Sequence, residues 1–466
     1  MTISFHGAAR TVTGSKHLIT LADGRKLLLD CGMFQGMGRE TDGLNRDFGF
    51  DAADVDAMIL SHAHIDHSGL LPKLVKDGYL KPVYCTSATK GLATILMEDS
   101  AGIQANDLKY VNRRFAQEGK LLLQPLYSEA DALAASALLE ARPYGSWFAV
   151  MPGVEAMFTD AGHIIGSACV HLKINDQGRQ VSLTFSGDIG RYHDTILKSP
   201  EPFPQADIII MESTYGDKLH DVITSSIDQL WAHVQHTCIK KKGKLIIPAF
   251  SVGRTQELLY ALNQLELEGR LPKVDYFVDS PLSREATLVV KSHPENFNEH
   301  LQEVLKTDKD PFQFEGLKFV RTVEESKLLN FRRDPCVIIS ASGMAEAGRI
   351  KHHISNNIEN SRNTILMVGY CEPNSLGGRL KRKPAEVNIF GLPHEVHAEI
   401  VEMKSMSAHG DYEDMLRWLS CQNAAAVQQL FLVHGEYDEQ LSFAKRIRQK
   451  GFKHVSIPEQ HSTVLV

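Results

Sequence analysis

The ten residues LSHAHIDHSG at positions 60–69 restrict this chain more than any other segment. They follow the apolar run DAMIL and precede LLPKLVKDG, so three histidines and an aspartate fall on a turn between a strand and a helix. Asp66 stands near the start of the expected helix, and Gly78 just past its end. Imidazole and carboxylate are the donors that hold zinc and related ions in hydrolytic sites, whereas structural zinc sites favour thiolates. A chance HxHxDH in a chain with 21 histidines among 466 residues is roughly a two-in-a-thousand event. His62, His64, Asp66 and His67 can serve two adjacent ions but do not fill them, so further ligands must arrive from other strand ends. His163 in TDAGHIIGSA, Asp188 in TFSGDIG and His434 in FLVHGE stand at such places.

The rest of the chain supplies those strands. Up to about residue 214, short apolar runs recur, among them LLLD (27–30), PVYCT (82–86), VEAMFTD (154–160), VSLTFSGD (181–188) and ADIIIMEST (206–214). Several end on polar residues, including Asp30, His62, Asp188 and Glu212, which a sheet presents at its edge. Between 88 and 141 the pattern turns helical, and SEADALAASALLEA opens on a serine and two acids as a helix start prefers. From about 217 to 392 strand and helix alternate, as in KLIIPAF followed by GRTQELLYALNQLELEG, which predicts a mainly parallel sheet flanked by helices. From 393 the strands again end in histidines, at His409 and His434. The expected organisation is therefore a first unit over 1–214, an inserted α/β unit over 215–392, and a return of the first unit over 393–466.

Composition excludes other classes. No apolar run approaches the roughly 18 residues that span a bilayer, and the N-terminus lacks a signal-peptide pattern. A cytoplasmic protein is expected. Seven cysteines occur singly, without a CxxC pair, so neither a disulfide framework nor a thiolate zinc site is suggested. A net charge of −7 gives no global attraction to nucleic acid, although IKKKGK, NFRRD and GGRLKRKP are locally basic.

The segments SHAHIDHSG, DAGHIIGSA and FSGDIG, with Asp30 in LLLDCGMFQG, resemble the metallo-β-lactamase superfamily. MESTYGD (211–217), MSAHGDY (406–412) and LVHGE (432–436) resemble the three signatures of its β-CASP branch, nucleases acting on RNA or DNA. The resemblance implies a metallo-β-lactamase αββα sandwich carrying an inserted β-CASP domain. It implies one ion on His62, His64 and His163, a second on Asp66, His67 and His434, and Asp188 bridging them. Two zinc ions per chain are expected, with manganese as the alternative. Asp30 is implied as the group that orients a ligand histidine or a water. Glu212 and His409 fit a carboxylate and the general acid it holds charged.

Substrate phosphates need donors, and the candidates are Gly253 and Arg254 in FSVGRTQ, Ser342 and Gly343 in SASGMAEAGR, and Ser407 beside His409, in a cleft between the two units. A histidine at position 434 resembles the RNA-acting members, so the expected partner is single-stranded RNA, with a second copy of the chain left open. SAHGD is closer to the cleavage and polyadenylation endonuclease type than to ribonuclease J, whose extra C-terminal domain is not expected here. That type implies endonuclease cleavage leaving a 3′-hydroxyl and a 5′-phosphate, with 5′-to-3′ exonuclease action as an addition. The rivals are a hydrolase of small thioesters or lactams on the same scaffold and a noncatalytic RNA-binding subunit.

Overall fold

Strand Ile208–Met211 shows how the first unit is layered. Ile208 and Ile210 belong to one apolar core, Ile209 and Met211 to another, as the two-residue period of a pleated strand requires. The first core lies between two seven-stranded sheets. One sheet is ordered 462–465, 2–7, 16–20, 26–29, 57–59, 83–85, 139–141 and contributes Ile3, Phe5, Leu27, Leu29 and Ile59. The other is ordered 455–456, 429–432, 208–211, 179–185, 168–176, 154–160, 148–151 and contributes Phe158, Val170, Phe185 and Phe431. On its outer face helices Tyr412–Leu419 and Tyr437–Gln449 pack through Met415, Trp418, Phe443 and Ile447. Each such side chain stabilises the fold by about 1.5–3 kcal/mol on burial.

In this computed structural model the described residues are 1–219, 226–369, 371, 373–403 and 408–466, without the side chains of Arg39, Tyr110 and Arg114. On the first sheet's side, helices Leu71–Lys76, Ser87–Gln117 and Glu129–Ala137 pack on one another. Ser128 and Asp131 close a capping box at the last of these, as its sequence suggests. The helix ends earlier than the pattern SEADALAASALLEA predicts, because Leu139–Ala141 is drawn into parallel pairing with Val83–Cys85.

The described residues between 220 and 408 form a second contact unit. Its six-stranded sheet is ordered 317–319, 275–278, 336–340, 244–248, 364–367, 399–402, and every pair is parallel. Lys244–Pro248 and Cys336–Ser340 are buried throughout, as strands covered on both faces must be. From the sequence, the return to the first unit is expected at 393. The contacts place it between Ala408 and His409, because Glu399–Glu402 pairs with Thr364–Met367 and Ile400 enters the second unit's core. Among the described residues no helix is long and apolar enough to cross a membrane.

Candidate metal centre

The HxHxDH turn owes its shape to backbone pairing with two neighbouring segments. Ser15 N–H donates to the Asp66 carbonyl (2.8 Å), Cys31 N–H to that of His67 (2.8 Å) and Met33 N–H to that of Ile65 (2.9 Å). The approach is so close that a Cβ on Gly32 would lie 1.6 Å from the Asp66 carbonyl oxygen. Gly32 is thus needed for space, not for conformational freedom. Gly32→Ala is expected to push the turn away and lower metal retention on dialysis, although residue 32 contributes no ligand; zinc content equal to wild type would contradict this.

On that turn and three other strand ends, seven side chains converge in the first unit. His62 Nε2 and His163 Nε2 each lie 3.1 Å from His64 Nδ1. Asp188 Oδ2 is 3.5 Å from both of those Nε2 atoms. Around the other carboxylate oxygen, Asp188 Oδ1, stand His67 Nε2 at 3.2 Å and His434 Nε2 at 3.6 Å. Asp66 Oδ2 completes this set, 3.5 Å from His434 Nε2. Each set offers donor atoms lying within 4.8 Å of one another. Ligands about 2.0–2.1 Å from a tetrahedral ion are separated by about 3.3 Å, so the spacing fits a divalent cation.

The buried atoms give a second test of that fit. Among the described residues, His67 Nε2, His434 Nε2 and Asp188 Oδ1 are buried without a hydrogen-bond partner, a costly arrangement unless a cation satisfies them. Burial holds His62 well below its ordinary imidazole range and His64 at about 4, which keeps their nitrogen lone pairs available to a cation. Burial alone would raise Asp188, but the facing imidazoles of His434, His67 and His62 hold it well below the carboxylate range. Burial likewise opposes charge on His67, yet Asp188 and Asp30 raise it well above its usual value. An entering cation must displace that proton, so acid opposes metal binding.

The surrounding groups are equally specific. Asp30 Oδ2 accepts from His67 Nδ1–H (2.7 Å) and from Ser61 Oγ–H (2.9 Å), while Oδ1 accepts from Ser61 N–H (2.7 Å). Glu212 is fully buried. Its carboxylate takes the Ile189 N–H, the Thr214 hydroxyl (2.7 Å) and His409 Nδ1–H (3.1 Å). So many donors commit Glu212 to holding His409, although its oxygens also lie near Asp188 and His434. Burial would lower the His409 imidazole, but Glu212 and Asp188 hold it up at about 9. His409 stands at the rim of the cluster, its ring centroid 4.5 Å from that of His163. Asp30 and His434 both adopt left-handed backbone, with φ of 59° and 48°, a conformation that aims each inward at some strain.

Three family models match the chain in succession: the metallo-beta-lactamase superfamily over residues 13–235, a Beta-Casp domain over 255–380, and a Zn-dependent metallo-hydrolase RNA specificity domain over 393–458. A Thermus thermophilus protein, "Ribonuclease TTHA0252", is 35% identical over 96% of this chain and 95% of its own length. The chain belongs to the β-CASP branch of the metallo-β-lactamase superfamily. Another relative of this β-CASP chain is an "RNase J-like protein" of Methanocaldococcus jannaschii, 29% identical over 96% of the chain and 95% of that protein. "Transcription termination factor FttA" of Methanosarcina mazei is 29% identical over 95% of the chain and 68% of its own length. A solved structure titled as a protein of unknown function from Enterococcus faecalis V583 shares the fold, with a TM-score of 0.52 at 12% identity over 100% of this chain and 99% of that one. A metal-binding hydrolase site in this β-CASP protein agrees with both the family models and the side-chain geometry.

The remaining candidates of the β-CASP protein lie in its second unit. Gly253, at φ 78°, precedes helix Arg254–Leu267. Gly343 lies against the Phe250 ring, so the turns at 250–254 and 341–348 meet at one sheet edge. Ser342 Oγ accepts from Ala347 N–H at 3.3 Å. Arg254 differs from expectation: it is 5% exposed and its guanidinium is engaged by Glu257, which withdraws it from phosphate. Ser407 lies outside the described residues. Two hydroxyls that sequence reading passes over, Ser61 and Thr214, touch the cluster directly; serine and threonine cap so many turns that neither stands out.

Proposed function

We propose that the protein is a ribonuclease dependent on two zinc ions, one held by His62, His64 and His163, the other by Asp66, His67 and His434, with Asp188 shared between them. The observation that carries this reading is that Asp188 turns Oδ2 toward one trio and Oδ1 toward the other. RNA as substrate is supported by the RNA specificity domain over 393–458 and by the ribonuclease relative. Ions bound there would supply Lewis acidity, neutralising phosphate charge and acidifying a water toward neutrality.

The chain's own groups do the rest. Asp30 fixes the His67 ring through its Nδ1–H. Glu212 accepts the Nδ1 proton of His409, so the proton donated to the departing ribose oxygen is the one on Nε2. Backbone N–H groups at Gly253 and Gly343 would receive substrate phosphates, whereas the Ser342 N–H donates to the Ala347 carbonyl at 3.2 Å. The product ends are a 3′-hydroxyl and a 5′-phosphate.

Labelled linear and circular single-stranded RNA, single-stranded DNA and a thioester, each incubated with the zinc-loaded protein, test the proposal. Cleavage of both RNAs is expected, the circular one reporting endonuclease action. Thioester turnover with intact RNA would instead assign a small-molecule hydrolase, and RNA binding without cleavage a noncatalytic subunit.

A further inference from the structure

Two buried hydroxyls stand between carboxylates and ligand histidines in the same way. Thr214 Oγ1 lies 2.7 Å from Glu212 Oε2 and 2.8 Å from His434 Nδ1. Ser61 Oγ lies 2.9 Å from Asp30 Oδ2 and 3.1 Å from His62 Nδ1. A hydroxyl has one proton to give. A carboxylate can only accept it, so the hydroxyl oxygen must in turn accept from the imidazole. That chain of donation places a proton on Nδ1 of His434 and of His62. It leaves Nε2 of each ring, the atom facing Asp188, with its lone pair.

Resting on the two-ion reading above, we propose that Ser61 and Thr214 are positioning residues, hydroxyl relays that hold His62 and His434 in the Nδ1-protonated form and thereby each secure a different ion. Ser61 is fully buried and Thr214 6% exposed, so water does not readily take over either bond. Thr214 has a further consequence. Its partner Glu212 also receives His409 Nδ1–H, so one carboxylate connects the general acid to a ligand of the ion beside it. His67 needs no relay because Asp30 accepts its Nδ1–H directly at 2.7 Å. Without an acceptor at Nδ1 an imidazole can carry its proton on Nε2 and present no lone pair. Losing such outer contacts commonly lowers metal affinity about 10–100-fold.

The test is metal retention, not turnover. Metal-free wild type, Thr214→Val, Thr214→Ser, Ser61→Ala and the Thr214→Val/Ser61→Ala double variant are titrated with zinc against a chromophoric chelator, with circular dichroism confirming the fold. Wild type and Thr214→Ser are expected to hold two equivalents. Thr214→Val and Ser61→Ala are each expected to hold one tightly and the other about 10–100-fold more weakly, and the double variant none tightly. If the valine variant does not fold, Thr214→Ala replaces it. Unchanged affinity in Thr214→Val, failure of Thr214→Ser to restore binding, or a double variant that keeps one tight equivalent overturns the relay. A wild type that takes up no zinc brings down the metal-site reading itself, and the relay with it.

Discussion

His409→Ala is expected to lower RNA turnover by about 10²–10⁴-fold, the usual contribution of a positioned general acid, with zinc content at the wild-type level. The asymmetry follows from position. His409 gives its Nδ1–H to Glu212 at 3.1 Å and lies 3.9 Å from the nearest Asp188 oxygen, at the rim of both ligand sets. Glu212 and Asp188 overcome the burial penalty and hold the imidazolium up at about 9. The sign of the pH dependence follows. The acid is protonated at neutrality, and its contribution is lost as pH rises through that value. Cations bound in the neighbouring cluster would lower that value, so the alkaline limb of kcat is expected below 9. Wild type should show this limb and His409→Ala should lack it. Turnover in the variant within twofold of wild type would remove His409 from the chemistry.

Asp188→Asn is expected to abolish detectable cleavage and strip metal from the protein. The carboxamide matches the carboxylate in shape but carries no charge, and only one of its two terminal atoms is an acceptor. Since Oδ1 faces His67 and His434 while Oδ2 faces His62 and His163, either amide orientation turns an N–H toward one set of donors. The loss is readable without substrate. Ligand that binds only the folded state adds about 2.7 kcal/mol at a hundred times its Kd, so zinc should raise the melting temperature of wild type. Melting curves of Asp188→Asn with and without zinc should superimpose. A zinc-dependent rise equal to that of wild type would show that Asp188 does not share the ions.

Much of this centre is legible in the chain because its chemistry is concentrated. His62, His64, Asp66 and His67 occupy one turn, and His163, Asp188 and His434 each follow an apolar run, so residue type and strand-end position both mark them. Asp30 and Glu212 are readable for the same reason. Ser61 and Thr214 carry no such mark, since a hydroxyl's role depends on which two groups it meets across the fold. Arg254 misleads for the complementary reason. A cation beside a glycine-rich turn reads as a phosphate ligand until Glu257, three residues on, claims it in the folded helix.

The sequence by itself singled out the candidate ligand residues, the αββα class and the presence of an interrupting parallel α/β unit, because donor chemistry and apolar period are local properties. Only the tertiary structure decided that Asp188 divides its oxygens between two trios, that Asp30 and His434 turn inward through left-handed backbone, and that Glu399–Glu402 joins the second unit's sheet. Those outcomes depend on distances between residues far apart in the chain, which pairing and packing set and which residue order alone does not encode.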